Sequence, residues 1–354
     1  MNREKIKRLE EYVADSFLKP LLIDDLVTDI SYNGKSIFYQ HNELGRQKSE
    51  ISISVNEIND FLRHIANLGE KQFSFSEPLL DMSFGRFRLN AVHYSIGRLN
   101  DEKIPTFSLR IGSLVPRIVD NGCFMPKAIS RLLEILICNQ LSIVIGGQTG
   151  VGKTELQKYL LSLIPINSRV VVIDNIQELT YNSANAKIDL NCWQVNSHIG
   201  QASFQELIRN ALRSNPDWLI IAESRGKEML DVLNAVMTGH PVITTIHAKS
   251  AETIANRMVR MILMNGSETI YSEALNDIKE HFRYFLFLEK NVPINGKIYR
   301  YLAKILEYDH ATSQLNAIYQ KRGDKSIFAK PSLYLLSLIR KSPHAKELIK
   351  EFIL

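Results

Sequence analysis

Eight consecutive residues, Gly147-Gln148-Thr149-Gly150-Val151-Gly152-Lys153-Thr154, fit the pattern GxxxxGK[ST] without a mismatch. Each residue type has a chemical reason for its place. Glycines at 147, 150 and 152 let successive backbone N–H groups turn inward around an anion. A helix opening at Lys153 adds partial positive charge from its N-terminus. Lys153 supplies a full charge for the β- and γ-phosphates of a nucleoside triphosphate, and the Thr154 hydroxyl is a ligand for Mg2+. Gln148, Thr149 and Val151 contribute backbone to the same cradle. The expected ligands are therefore ATP and Mg2+.

Phosphate chemistry at such a loop also needs carboxylates for the metal and for water. The stretch WLIIAE ends in Glu223, an acid at the C-terminal end of an apolar strand, and ligands of open α/β sheets sit at that edge. Glu223 is expected to act in catalysis and, with Thr154, to hold Mg2+. Asp174 ends RVVVID in the same way, and Glu178 follows four residues later. His247 closes a third apolar strand, VITTIH. A strand-end Glu, a loop Asp or a lone His is ordinarily a solvated or structural side chain. Polar groups ending three strands beside a phosphate loop point instead to a shared site.

The elements that must position these residues alternate. Apolar strands LSIVIGG, RVVVID, WLIIAE and VITTIH are separated by helical stretches from Lys153, Ser203, Lys227 and Ala251, which implies a parallel sheet covered on both faces. A strand pair (YFLFLEK and YRYLAKILEYD) and helices from about residue 330 complete this region. Residues 1–112 read differently. An amphipathic helix at 1–18 precedes DISYNGKSIFYQ, where Asn33-Gly34 signals a two-residue hairpin turn, and a strand at Arg46–Ile53. Ser54 and Glu57 form a capping box for a helix with Ile58, Phe61, Leu62 and Ile65 on one face. Short strands in FSFSEPLLDMSF, RFRLNAVHYS and TFSLRIG make this an α+β domain, mostly antiparallel. Between the two lies 113–126, whose prolines and glycines without periodicity read as a linker, leaving 127–354 as the second domain.

Composition bounds the class. A chain of 354 residues suits two cores, and 45% hydrophobic with 23% charged residues is globular. A net charge of +5 is too weak to indicate nucleic-acid binding but suits an anionic membrane face. No apolar run reaches the 18 or so residues of a membrane span, and the start MNREKIKRLEEYVADSF lacks an apolar signal core. A cytoplasmic protein, peripheral at the membrane, is expected. Cys123, Cys138 and Cys192 are scattered and without a CxxC, so they read as buried small hydrophobes.

Taken in order, the segments resemble the type II/type IV secretion traffic-ATPase superfamily, in the branch serving conjugation, effector secretion and Tad-type pili. GQTGVGKT is similar to its Walker A, VVVIDNIQEL to its Asp box, LRSNPDWLIIAESRG to its Walker B region and TGHPVITTIHAKS to its His box. ISYNG, SEPLLDMSFGRFRLNAV and FSLRI match the family's N-terminal domain. The resemblance implies a C-terminal RecA-like domain, a PAS-like N-terminal domain that caps the nucleotide, and a homohexamer bound to inner-membrane components of a secretion or pilus machine. By the same resemblance Asp174 and Glu178 are Asp-box acids, His240 and His247 His-box residues, and Arg88 and Arg110 the arginines that reach the phosphates. Arg209, Arg213 and Arg225 are implied as intersubunit sensors, with surface ion pairing as their plain alternative. Two departures stand out: Asp174-Asn175 where the family has Glu-Asp, and Ala222 where it has glycine. No cysteine-rich zinc insertion is present, which sets the chain apart from the type II secretion branch. The expectation is an ATP-hydrolysing motor; a catalytically weak nucleotide-binding scaffold and a RecA-like nucleic-acid translocase are the alternatives.

Overall fold

The computed structural model describes residues 2–113, 117–118, 122–174, 179, 188–195, 202–264, 266, 269–291 and 296–353. The chain forms two compact units, Met1–Val115 with Val292–Tyr299, and Pro116–Asn291 with Arg300–Leu354.

In the first unit, helices α1 (Arg3–Ala14) and α2 (Lys19–Leu22) precede β1 (Val27–Tyr32), β2 (Ile37–His41) and β3 (Gly45–Lys48). Helix α3 (Val55–Leu68) follows, then β4 (Leu79–Phe84), β5 (Phe87–Val92), the two-residue strands β6 (Arg98–Leu99) and β7 (Glu102–Lys103), and β8 (Thr106–Ile111). The sheet runs β3-β2-β1-β8-β5-β4, antiparallel at every pair. Alternation along β4 turns Leu80, Met82 and Phe84 inward and leaves Leu79, Asp81 and Ser83 outside. Leu9 and Val13 of α1 join Ile58, Phe61, Leu62 and Ile65 of α3 in the same core. The capping box forms as the sequence implies, with Ser54 accepting from the Glu57 N–H and Glu57 accepting from the Ser54 N–H. The hairpin turn differs from expectation. Tyr32 pairs with Ile37, so the loop has four residues, Asn33 to Ser36. Asn33 Oδ1 accepts from both Lys35 N and Ser36 N, and Gly34 takes φ 98°. The side chain thus nucleates a wider turn than the Asn-Gly pair alone requires. The strand expected to reach Ile53 pairs only through Lys48.

The second unit carries the parallel sheet. Its elements are α4 (Lys127–Cys138), β9 (Ile143–Gly147), α5 (Lys153–Ser162), β10 (Arg169–Asp174), β11 (Asp189–Gln194), α6 (Phe204–Leu212), β12 (Trp218–Ile221), α7 (Met229–Met237) and β13 (Val242–His247). After these come α8 (Ile254–Leu263), α9 (Tyr271–Phe282), β14 (Tyr284–Asn291), β15 (Tyr299–Asp309), β16 (Gln314–Arg322), β17 (Lys325–Phe328), α10 (Leu333–Lys341) and α11 (Ala345–Ile353). The order is β11-β10-β12-β13-β9-β14-β15-β16-β17, parallel from β11 to β14 and antiparallel from β15 to β17. Each central strand feeds two cores. Ile143, Ile145, Val170, Val172 and Ile220 face α4, α5, α10 and α11, while Val144, Val171, Ile173, Leu219 and Ile221 face α6 to α9. Burial on both faces is why these strands read as unbroken apolar runs, each such side chain contributing about 1.5–3 kcal/mol.

The expected linker at 113–126 is partly packed. Ile118 and Met125 lie in the second unit's core, and Leu302 N donates to Phe124 O at 3.0 Å. The cysteines are not the buried hydrophobes expected. Cys123 and Cys138 are exposed and Cys192 is half-buried, since Cys138 ends α4 and Cys192 sits on the sheet's edge strand.

Candidate nucleotide site

The phosphate loop joins the central strand β9 to α5. Gly147, Gly150 and Gly152 take φ of 155°, 74° and 98°. A Cβ on Gly147 would lie 2.7 Å from Val151 Cγ2 and 2.8 Å from the Leu288 carbonyl, so the turn admits no side chain there. Lys153 is buried, 8% exposed. Its Nζ donates to the carbonyls of Gly147 at 3.1 Å and Gln148 at 3.0 Å, and lies 3.2 Å from His247 Nδ1.

Strand order brings the other groups to this loop. β13 lies beside β9 in parallel register with His247 opposite Gly147. β12 lies beside β13, and Glu223 follows its end. His247 Nε2 is 2.9 Å from Glu223 Oε1, and Arg225 Nη2 donates to Glu223 Oε2 at 2.8 Å. Lys153, His247, Glu223 and Arg225 thus form one chain of charged and polar contacts. Burial first, and then the nearby Lys153 cation, lower the His247 pKa. The imidazole is therefore neutral near pH 7, so Nδ1 can accept from the Lys153 ammonium. Arg225 is held protonated first by its bond to Glu223. Beyond β12 lies β10, whose last residue, Asp174, is 5% exposed and accepts from Leu179 N at 3.4 Å.

Not every expected residue joins this cluster. His240 bonds Thr238 before β13 begins, whereas His247 ends that strand. At roughly 3.3 Å per residue the two histidines sit about 20 Å apart, at opposite edges of the sheet. Glu178 lies outside the described residues. Arg209 donates to buried Asp231 at 3.0 Å and to Glu206 at 3.2 Å, a helix-surface bridge, and Arg213 caps α6. In the first unit Arg88 and Arg110 are directly opposite each other across β5 and β8, and Arg88 lies 3.5 Å from Asp81.

Several contributors carry no motif. Gln157, fully buried on α5, donates to the carbonyls of Ile221 at 2.8 Å and Ile243 at 3.3 Å, tying the phosphate-loop helix to β12 and β13. Thr245 Oγ1 donates to Ala222 O at 2.7 Å, and the hydroxyls of Ser224 and Thr244 are 2.9 Å apart, which fixes the path on either side of Glu223. Arg300 Nε donates to Gly150 O at 2.7 Å from β15. A polar residue on an apolar helix face was the available sign for Gln157. Arg300 had none.

The residues fit a nucleotide with Mg2+. The glycine cradle accepts nothing with a Cβ at Gly147. Glu223 Oε1 is shielded from solvent and has no well-directed hydrogen bond, because His247 approaches it off the ring N–H axis. Such an oxygen suits a cation or its bound water. Among the described residues no three His, Cys, Asp or Glu side chains gather as a metal cage.

Fold and site together define a RecA-like α/β unit that carries a phosphate-loop turn, and an N-terminal α+β unit. The family described as "Type II/IV secretion system protein" matches residues 111–279, which supports the resemblance to the type II/type IV secretion traffic-ATPase superfamily. An uncharacterized protein of Bacillus anthracis is 29% identical over 94% of this chain and 78% of its own length. The type IV secretion system protein PtlH of Bordetella pertussis is 36% identical over 126 residues, 35% of this chain and 37% of PtlH. Among solved structures, the ATPase DotB of Legionella pneumophila matches with a TM-score of 0.67 at 20% identity, covering 85% of this chain and 82% of DotB. At that identity the likeness speaks for the fold alone.

Proposed function

We propose that this chain is an ATP-hydrolysing motor, assembled as a homohexamer at the cytoplasmic face of the inner membrane, where it works with membrane components of a secretion, conjugation or pilus system. The observation that carries the reading is the convergence of Lys153, His247, Glu223 and Asp174 on one sheet edge at the phosphate loop. The Gly147–Gly152 amides would cradle the phosphates, and Lys153 would exchange its carbonyl partners for the β- and γ-oxygens. Thr154 and Glu223 are the residues that would hold Mg2+, which supplies charge neutralisation at those oxygens when bound. Neutral His247 bridges Lys153 and Glu223, so movement of either is felt by the other. Asp174, next along the edge, would orient the attacking water.

Arg88 and Arg110 support an anion-contacting role for the first unit. The two stand directly opposite each other in the sheet, with Asp29 opposite Arg110 on β1 and Asp81 beside Arg88, so a phosphate would have to exchange places with these acids to be bound there. The absence of any helix long and apolar enough to cross a membrane, among the described residues, accords with peripheral attachment. Direct nucleic-acid binding forms no part of the reading.

Phosphate release from the purified protein with Mg2+ and ATP tests it. Lys153→Ala should lower turnover about a hundredfold or more, since it removes the cation facing the transferring group. Turnover within threefold of wild type would overturn the assignment. A wild-type chain that binds ATP but releases no phosphate would be the weak scaffold instead.

A further inference from the structure

We infer that Arg300 is a positioning residue for the phosphate loop, pinning the Gly150 carbonyl so that the loop stays shaped for phosphate before any ligand arrives. The inference rests on the nucleotide-binding reading of this loop. Turning amides inward at left-handed glycines throws the intervening carbonyls outward, where a side-chain donor can fix their direction. Gly147 O and Gln148 O take theirs from Lys153, the same cation that a triphosphate would draw away. Gly150 O, at the apex with φ 74°, takes its donor from Arg300 Nε at 2.7 Å. That contact survives when Lys153 moves.

The anchor is rigid on its other side. Arg300 lies on β15, and two residues on, Leu302 N donates to Phe124 O, so one strand holds both the loop apex and the segment before α4. The Arg300 Cδ and the Phe124 ring edge would each stand 3.9 Å from a Cβ on Gly152, flanking the loop's last glycine. Other cations are near. Lys290 Nζ would be 3.8 Å from a Cβ on Gly150, and Arg117, after burial, lowers the Arg300 pKa. The guanidinium's bond to a neutral carbonyl serves the loop's geometry, and other cations lie close to the same loop.

The test separates this role from the nucleotide reading. Hydrogen exchange of the ligand-free full chain reads the loop directly. Arg300→Met, which keeps the stem and loses the donors, should speed exchange across residues 147–152 about tenfold, with β10 and β12 as in wild type. Arg300→Gln, which restores a donor without charge, should return most of the protection. Equilibrium binding of a fluorescent ATP analogue with Mg2+ should weaken about tenfold in Arg300→Met and less than threefold in Arg300→Gln, while kcat at saturating ATP changes less than threefold. Unchanged loop exchange in Arg300→Met overturns the inference. So does protection lost across the whole sheet, because a residue that only positions the loop is dispensable for the fold. Rescue by Arg300→Lys but not Arg300→Gln would overturn it too, since charge would then be what matters. Loop exchange that responds as expected in a chain that fails to bind the analogue would leave Arg300's role standing and sink the nucleotide reading.

Discussion

Two carboxylates, Glu223 and Asp174, compete for one role, and their surroundings separate them. Glu223 already sits in the chain from Lys153 through His247 and is clamped by Arg225, so it can respond to both the loop and the ligand. Asp174 ends its strand one methylene shorter than the glutamate of the resembled pattern, a shortfall of about 1.5 Å. Misplacement of about 1 Å can cost on the order of a hundredfold in rate. Glu223→Gln should therefore retain ATP affinity and lose turnover at least a hundredfold. Asp174→Glu should leave turnover unchanged or raise it severalfold by restoring reach. Single-turnover hydrolysis and analogue binding, measured on both variants, decide the matter. Reversal of the two results would exchange the roles.

At the scale of elements, the C-terminal helices depend on one buried acid. Glu307 on β15 is 1% exposed. Its Oε1 accepts from the Ser332 hydroxyl at 2.6 Å and the Tyr284 hydroxyl at 3.2 Å, and its Oε2 accepts from Ser332 N at 2.9 Å. Ser332 is in turn the N-cap of α10, accepting from Leu335 N. The carboxylate thus ties β14, β15 and the start of α10 together, and burial pushes the Tyr284 hydroxyl well above its usual range. Glu307→Ala strands three buried donors and should cost about 3 kcal/mol or more in urea denaturation. A loss below about 1 kcal/mol would mean water replaces the carboxylate and the latch is incidental.

For the whole molecule, assembly is the property that the proposed motor requires and a single chain cannot provide. A closed ring repeats one heterologous interface six times, and nucleotide binding at that interface would couple subunits. Light scattering with a non-hydrolysable ATP analogue should give a mass near six times the 40.5 kDa chain. A strict monomer at tens of micromolar protein would count against the motor.

How much of this could be read along the chain depends on the range of the forces involved. The phosphate loop, the capping box at Ser54, the β1–β2 hairpin and the four apolar strands were legible, because turn chemistry, capping and burial period are set by neighbours within a few residues. Edge strand β11 was not: its residues are half-exposed and DLNCWQ lacks an apolar run. The hairpin loop was read two residues too short because Asn33's side-chain bonds, not the Asn-Gly pair, set its width. The tips of Asp174, Glu223 and His247 were legible as acids and a base ending strands, yet their adjacency was not. It follows from the order β10-β12-β13-β9, set by how crossover helices pack on the sheet and by no local pattern. The same order carried Arg300 back to a loop 150 residues earlier. Sequence determined which side chains could do phosphate chemistry; tertiary structure decided which of them meet, because contact between distant strands is settled only when the two cores close around the sheet.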